Sequence, residues 1–245
     1  MSEASRSAHR YAIYLAPAEP FRTFGAQWLG RDADTGATLP LPVGIAQRPA
    51  SWVKAPAHYA LHATLKPPFR LADGADAAQL DQAVRAFATQ QSPFDVPLAL
   101  RALRGFLAWC LADAEGQGGR HMHALADACV RDFDAFRAPP TAAEIARRDP
   151  AKLSAAQRRH LDAWSYPYVF DTFTFHITLT GMLDAADEAA AFGMLAAAGG
   201  ALLEQPMRVD GISVYVQPEP GADFIAARHY RFDGTTVDGA GAAYL

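Results

Sequence analysis

Two histidines, His62 and His176, each stand two residues before a threonine, in Leu61-His62-Ala63-Thr64-Leu65-Lys66 and Phe175-His176-Ile177-Thr178-Leu179-Thr180. Imidazole is the side chain whose ordinary pKa, about 6.5, lets it take up or release a proton near neutrality. Two imidazoles, each accompanied by a hydroxyl, are the equipment of metal-free acid/base chemistry on a phosphate. A neutral imidazole deprotonates the attacking water or hydroxyl. Its protonated partner hands a proton to the departing oxygen, while Thr64 and Thr178 hold the non-bridging oxygens. A single histidine in an apolar segment is more often a core or surface residue than a catalyst, so the weight lies on the repetition.

Both segments alternate apolar and polar residues with period two, the mark of a half-buried strand. Leu61, Ala63 and Leu65 then enter a core, and His62, Thr64 and Lys66 share the other face. His176, Thr178 and Thr180 do the same in the second segment. Lys66 is placed to offset a phosphate charge. Thr180 adds a further hydroxyl. On a first strand at Arg10–Leu15, Tyr14 shares a face with Arg10 and Ala12 and is a candidate for stacking on a base or closing the site.

The elements around these strands repeat as well. Residues 28–56 are rich in Gly and Pro and read as a long loop, with one helical turn after Pro20. Pro67-Pro68 is expected to end the first His-x-Thr strand. A helix over 75–91 carries Leu80, Val84 and Phe87 at helical spacing, and strands at 94–103 and 105–112 form a hairpin around Arg104-Gly105. Residues 119–137 are helical in period, and two short helices, 141–148 and 154–164, make an inserted pair. After the second His-x-Thr strand come an Ala-rich helix, 185–198, ended by Gly199-Gly200, and strands at 207–216 and 224–232. The order strand, helix, strand, strand thus occurs twice, which predicts an internally duplicated α+β fold.

Two His-x-Thr strands in one chain, within LHATLKPPF and FHITLTG, resemble the two-histidine (2H) phosphoesterase superfamily, which includes RNA 2′,5′-ligase-like and cyclic phosphodiesterase proteins. The opening RYAIYLAP, the WLGRD segment and the helical insertion are similar, more narrowly, to an uncharacterised branch found with phosphonate-utilisation genes. The resemblance covers residues 10–232. It implies one domain of two lobes related by a pseudo-twofold, each an antiparallel sheet with helices outside, around a concave cleft. The first lobe spans about 9–136, the insertion 137–165 and the second lobe 166–245. It assigns His62 and His176 as the acid/base pair and Thr64 and Thr178 as phosphate-orienting hydroxyls, with no cofactor and no metal.

Composition narrows the partners. The 245 residues carry a net charge of −4, which supplies no basic field for a long nucleic acid but leaves room for a small phosphorylated substrate. Cys110 and Cys129 lack a second cysteine at metal or redox spacing and read as buried, reduced thiols. The first ten residues lack the apolar stretch of a signal peptide, and no run approaches 18 apolar residues. The expectation is a cytoplasmic protein without membrane contact, and sequence leaves its oligomeric state open. His121 and His123 invite a zinc reading, but on a helix positions i and i+2 diverge by about 200°. The basic run Arg147, Arg148, Lys152, Arg158, Arg159 and His160 covers the cleft or is a solvated face, with Glu144, Asp149 and Asp162 interspersed. Pro56 favours a loop position for His58, and His9 and His229 carry no signal. The competing function is a non-catalytic binder of a nucleotide or RNA end, with a zinc hydrolase far behind.

Overall fold

In the computed structural model, which describes residues 6–245, the chain begins with β1 (Arg10–Leu15), α1 (Phe21–Leu29), α2 (Lys54–Tyr59), β2 (Ala63–Phe69) and α3 (Ala77–Ala88). It continues through β3 (Phe94–Val96), β4 (Leu98–Leu103), β5 (Phe106–Leu111) and α4 (Gln117–Asp132). Then come the short α5 (Ala142–Ala146) and α6 (Ala155–Trp164), β6 (His176–Thr178), α7 (Ala185–Gly199), β7 (Met207–Val209), β8 (Gly211–Gln217), β9 (Ile225–Arg231) and β10 (Thr236–Asp238). Eight strands form one antiparallel sheet in the order β10-β9-β8-β1-β2-β6-β5-β4, and β3 pairs with β7 in a separate ribbon. The fold is α+β.

The two His-x-Thr segments meet at the middle of this sheet. Ala63 of β2 pairs with Ile177 of β6. The β4–β5 hairpin, from the first half of the chain, flanks β6. The β8–β9 hairpin, from the second half, flanks β1. Helices α3, α4 and α7 cover one face: α3 packs on β8 and β9, α4 on β2, and α7 on β4 and β5. Ile13, Leu65, Trp109, Ile177 and Val214 point into that main core. The other face carries a smaller apolar cluster of Ala12, Tyr14, Ala60, Tyr215, Phe224 and Ala226.

Local chemistry explains most elements. Asp76 and Gln79 form a capping box that starts α3, and Thr141 with Glu144 and Ser154 with Gln157 do the same for α5 and α6. The β4–β5 hairpin turns through Arg104 (φ 53°) and Gly105 (φ 92°), two successive positive φ values, as a two-residue turn matched to strand twist requires. Pro97 splits the single strand expected over 94–103 into β3 and β4, which join different sheets.

Three expectations are corrected. Pro67-Pro68 does not end β2, which runs on to Phe69. β6 is only three residues long and pairs with β2 at Ala63, so the prolines have no partner on that side, and against β1 the register slips by one residue between Lys66 and Phe69, a bulge that accommodates them. The loop over 28–56 contains the last residues of a nine-residue helix, α1, and the start of α2. His58 therefore lies on a helix, because Pro56 occupies its first turn, where no amide partner is needed. Strand β10 was not anticipated from the sequence. Residues Ala185–Glu204 are long and apolar enough to cross a membrane by composition, while Ala191, Leu195 and Gly199 of that stretch are buried in the fold.

Candidate active site

Antiparallel pairing of Ala63 with Ile177 fixes the neighbours on either side: His62 lies beside Thr178, and Thr64 beside His176. Ala63 and Ile177 are buried in the main core, so these four side chains project from the opposite face. The two histidines are diagonal neighbours on adjacent strands, a relationship that spans about 7–8 Å between Cα atoms. Both line one cavity of about 320 Å³, together with Thr178, Tyr59, Phe106 and Met182.

Each imidazole is held in the same way. His62 Nδ1 is 2.9 Å from the carbonyl of Ala60, and His176 Nδ1 is 2.8 Å from the carbonyl of Thr174. A carbonyl only accepts, so Nδ1 carries the proton in both rings and Nε2 is the unprotonated nitrogen of the neutral imidazole. His62 Nε2 lies 3.2 Å from Thr64 Oγ1, whose hydroxyl donates to it. Tyr14 stacks on His62, with ring centroids 3.8 Å apart and planes inclined by 19°. Ala60 reaches its position with φ 59° and ψ 178°, a conformation open essentially to glycine alone. That strained residue sets the carbonyl that orients His62.

Burial pushes the His62 imidazole down to about 4, against the opposing pull of the Ala60 carbonyl, and the neighbouring His176 lowers it further. His176 is lowered too, by burial first, with Arg104 adding to it and the Thr174 carbonyl opposing. Both rings are then neutral at pH 7. An anion beside them favours the protonated forms and restores their readiness to donate.

Two of the three expected substrate-binding residues, Lys66 and Tyr14, are placed otherwise, and the third, Thr180, lines the cavity. Tyr14 pairs with Thr64 while Ile13 pairs with Lys66, so β2 has one extra residue at Leu65. This bulge turns Lys66 onto the core face of Ile13. Lys66 is 2% exposed and donates to the Val130 carbonyl at 3.0 Å and to Asp134 at 3.1 Å. It does not reach the cavity. Tyr14 is 1% exposed, sandwiched against His62 and Tyr215, and positions the imidazole instead of stacking on a base. Thr180 lies in the cavity floor, where its hydroxyl accepts from the Leu107 amide at 2.8 Å.

The cavity wall formed by α2 was missed. Tyr59 is its last residue, and α2 is pinned by the Phe224 amide donating to the His58 carbonyl at 2.9 Å and by His58 to Asp223 at 2.8 Å. Six residues with a proline inside carry no readable period, so only the three-dimensional structure locates it. His121 and His123 lie on α4 against different rings, Phe94 and Phe173. Among the described residues no three His, Cys, Asp or Glu side chains cluster as metal ligands do.

With this geometry in view, the comparisons with known proteins place the chain. It belongs to the family described as protein of unknown function DUF1045, which matches residues 64–225, a span that holds His176 and β2 from Thr64 onwards. It is 38% identical over 223 residues to ribose 1,5-bisphosphate phosphokinase PhnN of Laribacter hongkongensis, covering 89% of this chain and 51% of that protein. It is 35% identical over 245 residues to the protein of the same name in Janthinobacterium sp., covering 94% of this chain and 52% of that protein. The chain thus spans about half the length of these curated relatives.

Proposed function

We propose that the protein is a metal-independent phosphoesterase of the two-histidine type, opening a cyclic phosphodiester of a small sugar or nucleotide phosphate in phosphonate metabolism. The observation that carries the reading is the placement of His62 and His176 as neighbours on paired strands, each with Nδ1 held by a backbone carbonyl so that Nε2 has no proton, and both rings lining one cavity. His62, kept neutral by its burial, accepts the proton of the attacking water. The water oxygen bonds to phosphorus, the bond to the ring oxygen breaks, and protonated His176 gives that oxygen its proton. Thr178 donates to a non-bridging oxygen, and Thr64 does so once its hydroxyl turns from His62 Nε2 to the phosphate. Exchange with solvent returns both rings to their starting states.

The duplication is part of the proposal. The order strand, helix, short strand and hairpin recurs in β2-α3-β3-β4-β5 and β6-α7-β7-β8-β9, and like pairs with like, β2 with β6 and β3 with β7. Two lobes related by that pseudo-twofold exchange their hairpins across the sheet. Free, buried Cys110 and Cys129 fit a reducing cytoplasm.

The relatives' name speaks of a phosphokinase and of ribose 1,5-bisphosphate. This chain has no Gly-x-x-x-x-Gly-Lys-Ser/Thr segment of the kind that cradles nucleotide phosphates. The name contributes a substrate class, a phosphorylated pentose, and the histidine pair contributes the chemistry. The test is turnover of 2′,3′-cyclic nucleotides and cyclic sugar phosphates by the purified protein with a chelator present. Ring opening that persists under chelation is expected. Binding without turnover favours the non-catalytic binder, and a rate lost to chelation and restored by zinc overturns the metal-free mechanism.

A further inference from the structure

Tyr59 stands in the wall of three cavities, two of which are set against the histidine pair and an arginine cluster. On one side lies the His62/His176 cavity, and on the other a cavity of about 200 Å³ lined by Arg10, Arg137, Arg147 and Arg148, with Glu144 the one carboxylate in its wall. Arg10 comes from β1, and Arg147 and Arg148 from the end of α5, so the helical insertion closes over the sheet here. Arg137 is consumed by a two-pronged pair with Asp134, at 2.8 and 3.1 Å. Glu144 spends its carboxylate on the Thr141 amide at 2.7 Å and on Arg70 at 3.4 Å.

That leaves three guanidinium groups with no carboxylate partner among the described residues. Arg10 is steered by Nε donating to Gln217 at 2.8 Å, and Arg148 lies 4.7 Å over the Tyr166 ring. Both contacts orient a cation without neutralising it. In a chain of net charge −4, gathering unpaired guanidiniums around one small cavity costs self-repulsion unless an anion enters. Their forked donors match phosphate oxygens.

We propose that this cavity is a second anion subsite, holding a distal phosphate of the substrate while the first occupies the histidine cavity across Tyr59. The substrate class is then a small molecule with two phosphoryl groups on one skeleton. The proposal rests on the phosphoesterase reading only for which of the two phosphates reacts.

Calorimetric titration tests it, with ribose 1,5-bisphosphate and ribose 5-phosphate as probes. The wild-type chain is expected to bind the bisphosphate at least about tenfold more tightly, the scale of one or two hydrogen bonds to a charged group. The double variant Arg147→Ala/Arg148→Ala, at exposed positions without ion pairs, should lose that advantage. The corresponding Lys variant should keep part of it, and Arg208→Ala, remote on β7, all of it. Equal affinities for the two probes in the wild type, or an advantage that survives the double Ala change, would overturn the subsite. A bisphosphate advantage with no turnover of any cyclic phosphate would leave the subsite standing and overturn the phosphoesterase reading.

Discussion

The Tyr14 ring lies flat on the His62 imidazole, 3.8 Å between centroids, and it excludes the water that would otherwise solvate a charged ring. The depressed pKa of His62 is a consequence of that burial. Tyr14→Ala should therefore bring the His62 pKa up from about 4 towards the ordinary 6.5. Tyr14→Phe keeps the stack and should leave it low. A titration of the imidazole C–H resonances by NMR reads the difference, and equal values in the two variants would show that the stack does not set the pKa.

Ala60 holds a conformation meant for glycine in order to aim its carbonyl at His62 Nδ1. Relieving such strain is worth about 1–3 kcal/mol, less the roughly 0.5–1 kcal/mol that glycine costs in chain entropy. Ala60→Gly is expected to raise the thermal midpoint while lowering kcat, because the freed peptide orients the imidazole less firmly. A more stable variant with unchanged kcat would remove Ala60 from the positioning role.

Lys66 is a structural cation, not a substrate ligand. Removing it strands the Val130 carbonyl, while Asp134 keeps Arg137. Lys66→Ala should cost about 1–3 kcal/mol in urea unfolding, the price of an unmet buried acceptor together with lost packing. Its kcat/KM at temperatures where it stays folded should remain near wild type. A selective rise in KM with normal stability would return Lys66 to the site.

Two histidines fold with pKa values held near 4 by burial, His62 and His229. Unfolding frees them to the ordinary 6.5, so between those pH values the unfolded chain binds more protons than the folded one. Their contribution to stability is fully present above about pH 6.5 and is lost as pH falls towards 4. Thermal midpoints should decline through this window. The decline should be shallower in His229→Gln, whose ring no longer bridges Ser213 and Asp34.

What the sequence made legible were the features written locally. The His-x-Thr faces show in a two-residue alternation, α3 in the spacing of Leu80, Val84 and Phe87, and the hairpin in Arg104-Gly105. What it hid depends on partners distant in the chain. The bulge at Leu65 that turns Lys66 away exists only against β1. Nothing near Pro67-Pro68 announces that β6 stops short and leaves them room. Tyr59 stands on a helix too short to show a period, and Arg10 meets Arg147 and Arg148 only because the insertion folds back over β1.

The central claim is that His62 and His176 act as one unit on one phosphate. Steady-state turnover of a confirmed cyclic phosphate by His62→Ala, His176→Ala and the double variant tests it most directly. Each single change should reduce kcat/KM by about 10²–10⁴-fold. The double variant should be hardly slower than the worse single one, since losses within a cooperating pair do not multiply. Wild-type rates in either single variant, or clean multiplication of the two losses in the double, would contradict it.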